Sequence, residues 1–487
     1  MLRNISKLVA AAAGGAAGPY AGRHEPSRAF FLNDAGLLRH EAVIGKSGAG
    51  KSEYLLWRLA QQMQLGGGAL VIDAKGDREF RDRLWWLGTA LGRASDLRCV
   101  NLDDAAGSHT CNPLLRGDEA AVAARFTDTI DVHGSPSAEH FRAQGHLALT
   151  AVIAALRSLD LAWCARDLHR LLSQPAALDW LARRSTGTAG GAALTRWLAP
   201  WRTRGGGGQI DGEALRQQTG GVIARLFALG TGAIGEITST YAPEVDVLQA
   251  IDGNQIVHVM LPALERSEVA HAFARLLLGD LRSALAELYR RAPADRSAVP
   301  FLVLMDEFGS YASPVVAPTF EMARGARVAL MPMFQTLSGL RAGGPDLIEQ
   351  VLGNVEVILV MGVADLATAD TAARLFGQAR QAFASRTRSR SRGAGNRNLA
   401  FELFHATSFS EGESVSMREA YDYRVRPEAF MALPPGQAWL RAGASPSVFH
   451  LRLPQIEAPR IGEFALHPVT VTPRAGIGPL LDARPAP

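Results

Sequence analysis

The sequence predicts an α/β protein whose mostly parallel central sheet is interrupted by an all-helical insertion. Three observations carry this. Apolar runs that end in polar residues recur at 69–73, 300–307 and 328–335, with another after a glutamine at 255–261, as strands buried on both faces do. Amphipathic helical stretches such as 53–63, 79–91 and 267–290 separate them. From about 115 to 245 the texture changes to Ala, Leu, Arg and Gln at helical spacing, with strand signals nearly absent.

Composition sets the outer limits. The chain has 487 residues, enough for two to four domains and large cores, with 47% hydrophobic and 20% charged residues. The formal net charge is +4, so there is no global basic field, and any nucleic-acid surface must come from local clusters. Cys99, Cys111 and Cys164 form no C-x-x-C pair, which excludes a zinc ribbon and a redox motif and leaves three small buried hydrophobes. No stretch resembles a membrane span; Leu8 to Ala17 is short and built from Ala and Gly. Residues 1–28 read as a loosely ordered arm, and 29–40 as a short strand and turn.

The first strand, Ala42 to Ile44, runs into G-K-S-G-A-G-K-S, made of Gly45, Lys46, Ser47, Gly48, Ala49, Gly50, Lys51 and Ser52. Strand, glycine-rich turn and helix together give this pattern its meaning. Glycines let the backbone curl so that several N–H groups converge on a phosphate, and the helix adds the positive end of its dipole. Lys51 then reaches the β- and γ-phosphates, and the Ser52 hydroxyl ligates Mg²⁺. His40 reads as a capped loop histidine rather than a nucleotide contact. In V-I-D-A-K-G-D at 71–77, Asp73, Lys75 and Asp77 stand at a strand's carboxyl end, where α/β sheets place ligands, or form an ordinary charged turn.

Within the insertion, Trp163, Trp180, Trp197 and Trp201 read as core. Beyond it, P-F-L-V-L-M-D-E-F-G from Pro300 supplies what a phosphate loop requires: Asp306 for Mg²⁺ and Glu307 to orient or deprotonate the attacking water. The strand from Val328 ends at Phe334-Gln335, where an amide is placed to sense the γ-phosphate. A further strand (354–361) and helix (365–375) follow. Residues 380–397 carry six arginines and no acid and read as a solvated loop, able to grip phosphates or to be ordered by a neighbouring subunit. Two short strands near 438–441 and 448–453 precede a Pro-rich tail.

Taken together, G-K-S-G-A-G-K-S, V-I-D-A-K-G-D, Asn112-Pro113-Leu114, L-M-D-E-F-G at 304–309 and F-Q-T-L at 334–337 resemble, in order, the type IV coupling proteins of bacterial conjugation and secretion, the TraD/TraG group of FtsK/HerA-like motors. The resemblance runs from about 37 to 455. It implies a RecA-like P-loop domain in two parts (29–114 and 246–465) around an all-alpha domain (115–245), with a tail at 466–487. It also implies a homo-hexameric, ATP-hydrolysing DNA translocase that passes a relaxase–DNA complex to a type IV secretion channel at the inner membrane. By position, Lys51 and Ser52 match the nucleotide loop, Asp306 and Glu307 the acid pair, Gln335 the γ-phosphate sensor, and Arg324 an arginine that reaches a neighbouring subunit's site. ATP and Mg²⁺ are the implied cofactors. Many members carry two N-terminal transmembrane helices with no counterpart before the phosphate loop here, which leads us to expect a cytoplasmic protein recruited to the membrane by a partner. A motor that moves protein or assembles a secretion machine, and a nucleotide-gated adaptor, are the alternatives; Glu307 argues against the adaptor.

Overall fold

The computed structural model describes residues 17–24, 28–33, 38–130, 136–203, 208–262, 266–342, 344, 346–395, 406–443, 448–456 and 464–483. Its strands are β1 (Ala17–His24), β2 (Arg28–Asn33), β3 (Glu41–Ile44), β4 (Ala69–Asp73), β5 (Leu97–Asn101), β6 (Ile256–Met260), β7 (Phe301–Met305), β8 (Val328–Phe334), β9 (Val357–Val360), β10 (Gln378–Gly395), β11 (Ala406–Tyr423), β12 (Gln437–Ala442) and β13 (Val448–Arg452). The chain divides into two compact units, residues 1–363 with 433–487, and residues 364–432.

The first unit is built on an eleven-stranded sheet in the order β2-β1-β13-β12-β9-β3-β8-β7-β4-β6-β5. The block from β9 to β5 is parallel throughout, and β12, β13, β1 and β2 extend it antiparallel. The parallel strands β3 to β9 are buried along their full length, which is why they read as unbroken apolar runs. Register sets the chemistry: Ile44 lies beside Phe334, and Ile72 beside Met305, so the residues that follow these strands emerge at one edge of the sheet.

Between β5 and β6 every element is helical among the described residues, from Glu119–Thr127 through Pro136–Ser158, Ala165–Ser173, Pro175–Arg184, Ala189–Leu198 and Gly212–Gly230 to Gly232–Thr238. A buried ion pair joins this insertion to the helix Ser267–Arg290: Arg125 Nη1 lies 3.0 Å from Asp280 Oδ1, and Arg125 Nη2 donates to the Arg116 carbonyl at 3.0 Å and Ser283 Oγ at 2.6 Å. Of the four tryptophans expected in the core, only Trp163 is fully buried; Trp180, Trp197 and Trp201 are half-buried.

Two further expectations are corrected. Ala17–His24, assigned to a loose arm, is a strand that pairs β2 and β13; the remainder of that arm, 1–16 and 25–27, lies outside the described residues. The tail is anchored by its backbone: Ala162 N–H donates to the Ala475 carbonyl at 2.8 Å and Ile477 N–H to the Ala162 carbonyl at 3.0 Å, ahead of the short helix Ile477–Asp482. The arginine-rich segment is no loop. In the second unit, β10 and β11 form an antiparallel ribbon of 18 residues each, in continuous register from Gln378↔Tyr423 to Gly395↔Ala406. The Arg-Ser alternation that denies this segment a core is itself the period-2 pattern of a strand. The same unit contains the helices Leu366–Phe376 and Pro427–Met431, joined by an edge-to-face contact of Phe376 and Phe430 at 5.2 Å between centroids. Residue 397 and the rest of the ribbon tip lie outside the described residues.

No single helix among the described residues is long and apolar enough to cross a membrane; Gly212–Gly230 and Gly232–Thr238 pass that test only jointly and meet at 86°.

Candidate functional site

The phosphate loop leaves β3 at Gly45, whose N–H donates to the Phe334 carbonyl at 3.0 Å. Lys46 N–H donates to the Gly362 carbonyl at 2.7 Å, and Gly436 N–H to the Ala49 carbonyl at 3.0 Å, so neighbouring strand ends hold the loop from both sides. Gly50 turns the chain into the helix Lys51–Gln64 with φ of 107°, a conformation closed to residues with a Cβ. A side chain at Gly45 would collide with Met361 Cβ at 2.9 Å. The first turn of the helix leaves its amides without intrahelical partners, pointing into the curl. Lys51 is buried, and its ammonium donates to the Gly45 carbonyl at 2.5 Å. Burial lowers its pKa, while Glu307 raises it, Lys75 lowers it and Asp306 raises it; the charges that act on Lys51 are those of the acid pair and Lys75.

Asp306 follows β7 and is buried at the carboxyl edge. Its Oδ1 accepts the Glu307 N–H at 3.0 Å, and the Tyr311 hydroxyl donates to its carbonyl at 3.0 Å. Burial raises its pKa against the pull of Lys75. Glu307 holds a left-handed backbone, φ 48° and ψ 38°, which costs an L-residue about 1–2 kcal/mol. Strain of this kind belongs to positions whose side-chain direction is over-determined by their surroundings. Gln335, just past β8, donates from Nε2 to Glu307 Oε1 at 2.5 Å.

Lys75 completes the cluster. Its Nζ lies 2.9 Å from Asp306 Oδ2 and 3.1 Å from Glu307 Oε1. Burial lowers its pKa, but the two acids outweigh burial and leave it raised. Asp73 sets the turn that delivers Lys75: its two oxygens accept the N–H groups of Lys75 and Asp77, each at 2.9 Å. Burial would push the Asp73 carboxyl up, yet His258 and these amides hold it below the usual value. Ser52, Asp73, Lys75, Asp77 and Asp306 line one cleft. The donors fit Mg²⁺ shared with phosphates: a hydroxyl and a carboxylate face the cleft, and no group of three or more His, Cys, Asp or Glu able to hold a metal by itself occurs among the described residues.

The structure therefore gathers Lys51, Ser52, Asp306, Glu307 and Gln335 around the loop Gly45–Ser52. Arg324 is not with them. It precedes β8, whose seven residues span about 23 Å, whereas Gln335 follows that strand. Arg324 is more than half exposed and donates to Glu356 Oε1 at 2.6 Å; Arg39 takes the other oxygen of Glu356 at 3.1 Å. His40 is structural, its Nδ1 accepting the Leu330 N–H at 3.0 Å and its Nε2 donating to the Phe320 carbonyl at 2.8 Å. The partnership of Lys75 with the acid pair was missed in the sequence; its only signal was the position of D-A-K-G-D at a strand end.

The family described as "TraM recognition site of TraD and TraG" matches residues 300–434, the stretch that contains Asp306, Glu307, Arg324 and Gln335. The type 4 coupling protein DotL of Legionella pneumophila subsp. pneumophila (strain Philadelphia 1) is 22% identical over 385 residues, 69% of this chain and 48% of DotL. The chain thus spans about half the length of that curated relative. Among solved structures, the plasmid coupling protein TrwB in complex with the ATP analogue ADPNP superposes with a TM-score of 0.61 at 14% identity, covering 93% of this chain and 92% of that one. TrwB with ADP and Mg²⁺ superposes with a TM-score of 0.60 at 14% identity, covering 94% and 93%. VirB4 of Thermoanaerobacter pseudethanolicus shares the fold more loosely, with a TM-score of 0.52 at 14% identity over 91% of this chain and 97% of VirB4. In sequence and in fold, the chain is similar to type IV coupling proteins.

Proposed function

We propose that this chain is an ATP-hydrolysing motor of type IV secretion or conjugation: a coupling protein that delivers a relaxase–DNA substrate to the channel, acting as a homo-hexamer recruited to the cytoplasmic face of the inner membrane. One observation carries the reading. The phosphate loop and an acid pair more than 250 residues away in sequence meet at one cleft, with an amide bonded to the second acid.

In this reading the backbone of Gly45, Lys46, Ser47, Gly48, Ala49 and Gly50 cradles the phosphates, and Lys51 leaves the Gly45 carbonyl to reach the β- and γ-phosphates. Ser52 and Asp306 would hold Mg²⁺, which would supply positive charge against the charge that develops on the phosphates. Glu307 orients the attacking water and takes its proton, and Gln335 ties the state of Glu307 to the γ-phosphate through their hydrogen bond. Arg324, far along β8 from its own cleft, serves the cleft of a neighbouring subunit, which makes turnover depend on a ring.

The test is ATP turnover with and without DNA, at low and raised salt, alongside particle mass. Turnover stimulated by DNA, suppressed by salt, in a six-copy particle is the expected result. Turnover indifferent to DNA assigns the motor to protein cargo. Bound nucleotide with no turnover in either the native chain or Glu307→Gln reduces the protein to an adaptor.

A further inference from the structure

Lys75 has no part in the mechanism above, yet it is ion-paired with both Asp306 and Glu307. It stands on the loop after β4, the strand hydrogen-bonded to β7, so its side chain and the acid pair leave adjacent strand ends. Its own N–H is held by Asp73 Oδ1 at 2.9 Å, which fixes the root of the side chain. Its head sits between Asp306 Oδ2 and Glu307 Oε1, at 2.9 and 3.1 Å. With Oδ1 taken by the Glu307 N–H at 3.0 Å, both oxygens of Asp306 are engaged, and Oε1 of Glu307 is shared by Lys75 and Gln335. The two oxygens of Asp73 each accept one amide, from Lys75 and Asp77.

We propose that Lys75 is a positioning residue that competes with the divalent cation for Asp306 and so makes the metal site depend on nucleotide. This rests on the reading of the cleft as an Mg²⁺–ATP site. A dication cannot join Asp306 while the ammonium occupies Oδ2 without bringing like charges together at a buried carboxylate. Triphosphate removes the conflict: it brings negative charge for the ammonium, whose four-carbon stem is flexible enough to follow it. Metal alone is thus held off, and metal with phosphates is accepted. The same contact keeps Glu307 ion-paired, and the residue that activates water is released only when phosphates draw Lys75 away.

The experiment measures two affinities on the full chain: Mn²⁺ alone, followed by the electron paramagnetic resonance of the free ion, and the preformed Mn²⁺–ADPNP complex, followed by calorimetry. In Lys75→Met, and in Lys75→Gln as a second neutral variant should the first fail to fold, Mn²⁺ alone binds about tenfold or more tighter than in the native chain. Mn²⁺–ADPNP gains no comparable affinity, and Lys75→Arg keeps the native preference. Equal tightening of both affinities means a static ion pair that stays in place with nucleotide bound, and overturns the proposal; so does an unchanged affinity for Mn²⁺ alone. A native chain that fails to bind Mn²⁺–ADPNP overturns the phosphate-site reading itself, a different outcome.

Discussion

The two β-structures of this chain are held by different forces. Strands β4, β7 and β9 are five, five and four residues long and buried throughout. The ribbon strands β10 and β11 are 18 residues each, and Arg388 and Arg390 have side chains 79% and 82% exposed. Burial locks the register of the sheet, because a one-residue slip would turn a strand's packing inside out. The ribbon rests on backbone pairing and exposed cross-strand pairs such as Arg390 with Glu411 at 2.9 Å. A two-stranded hairpin of that kind is marginally stable by itself. Chemistry that needs atoms fixed to fractions of an ångström is therefore expected at the ends of the sheet strands, where Lys51, Asp306, Glu307 and Gln335 are found.

The sharpest break between the regions comes from the two ends of the sheet. Lys51→Ala removes the ammonium proposed to reach the phosphates, and turnover is expected to fall to background because nucleotide binding fails, as read by fluorescent-nucleotide titration. Arg324→Ala leaves nucleotide affinity nearly native, while turnover drops by roughly 10³–10⁵. Unchanged turnover in Arg324→Ala shows that the arginine serves no neighbouring site.

Next in size is the buried pair that ties the insertion to the packed half. In Arg125→Met, Asp280 keeps, among the described residues, the distant Arg116 at 3.8 Å, and stability falls by about 3 kcal/mol. Burial already pushes the Asp280 carboxyl up to about 6, against the pull of Arg125 and Arg116. A carboxyl whose folded pKa lies above its unfolded value favours the fold when protonated, so that contribution is lost as pH rises through the folded pKa. The loss of melting temperature in Arg125→Met is therefore larger at pH 8 than at pH 5. Equal losses at both pH values show that Asp280 does not carry its charge alone in the variant.

What was legible in the sequence follows the same division. The parallel strands and the loop Gly45–Ser52 could be read because burial on both faces leaves unbroken apolar runs, and because phosphate capture constrains local spacing. The meeting of Lys75 with Asp306 could not, since it depends on β4 and β7 lying side by side, and 231 residues separate the partners. Arg386, Arg388, Arg390 and Arg392 read as loop because no apolar face accompanies their alternation. The anchoring of residues 475–477 to Ala162 runs through backbone atoms, which leave no side-chain pattern.

The smallest effect on stability belongs to the ribbon, and it sharpens the comparison most. Exposed ion pairs such as those of Arg388 and Arg390 contribute about 0.2–1 kcal/mol each, so replacing both arginines by Ser leaves the melting of the sheet and its nucleotide affinity close to native. DNA binding is the discriminating readout. If these alternate positions neutralise phosphates, the slope of log affinity against log salt becomes shallower by about 0.9 for each phosphate of duplex DNA left without its arginine. A native slope in this variant removes the ribbon from the DNA path and leaves Arg388 and Arg390 to their acidic partners on β11. A shallower slope with unaltered melting means that the part of the chain with the least packing holds the polyanion.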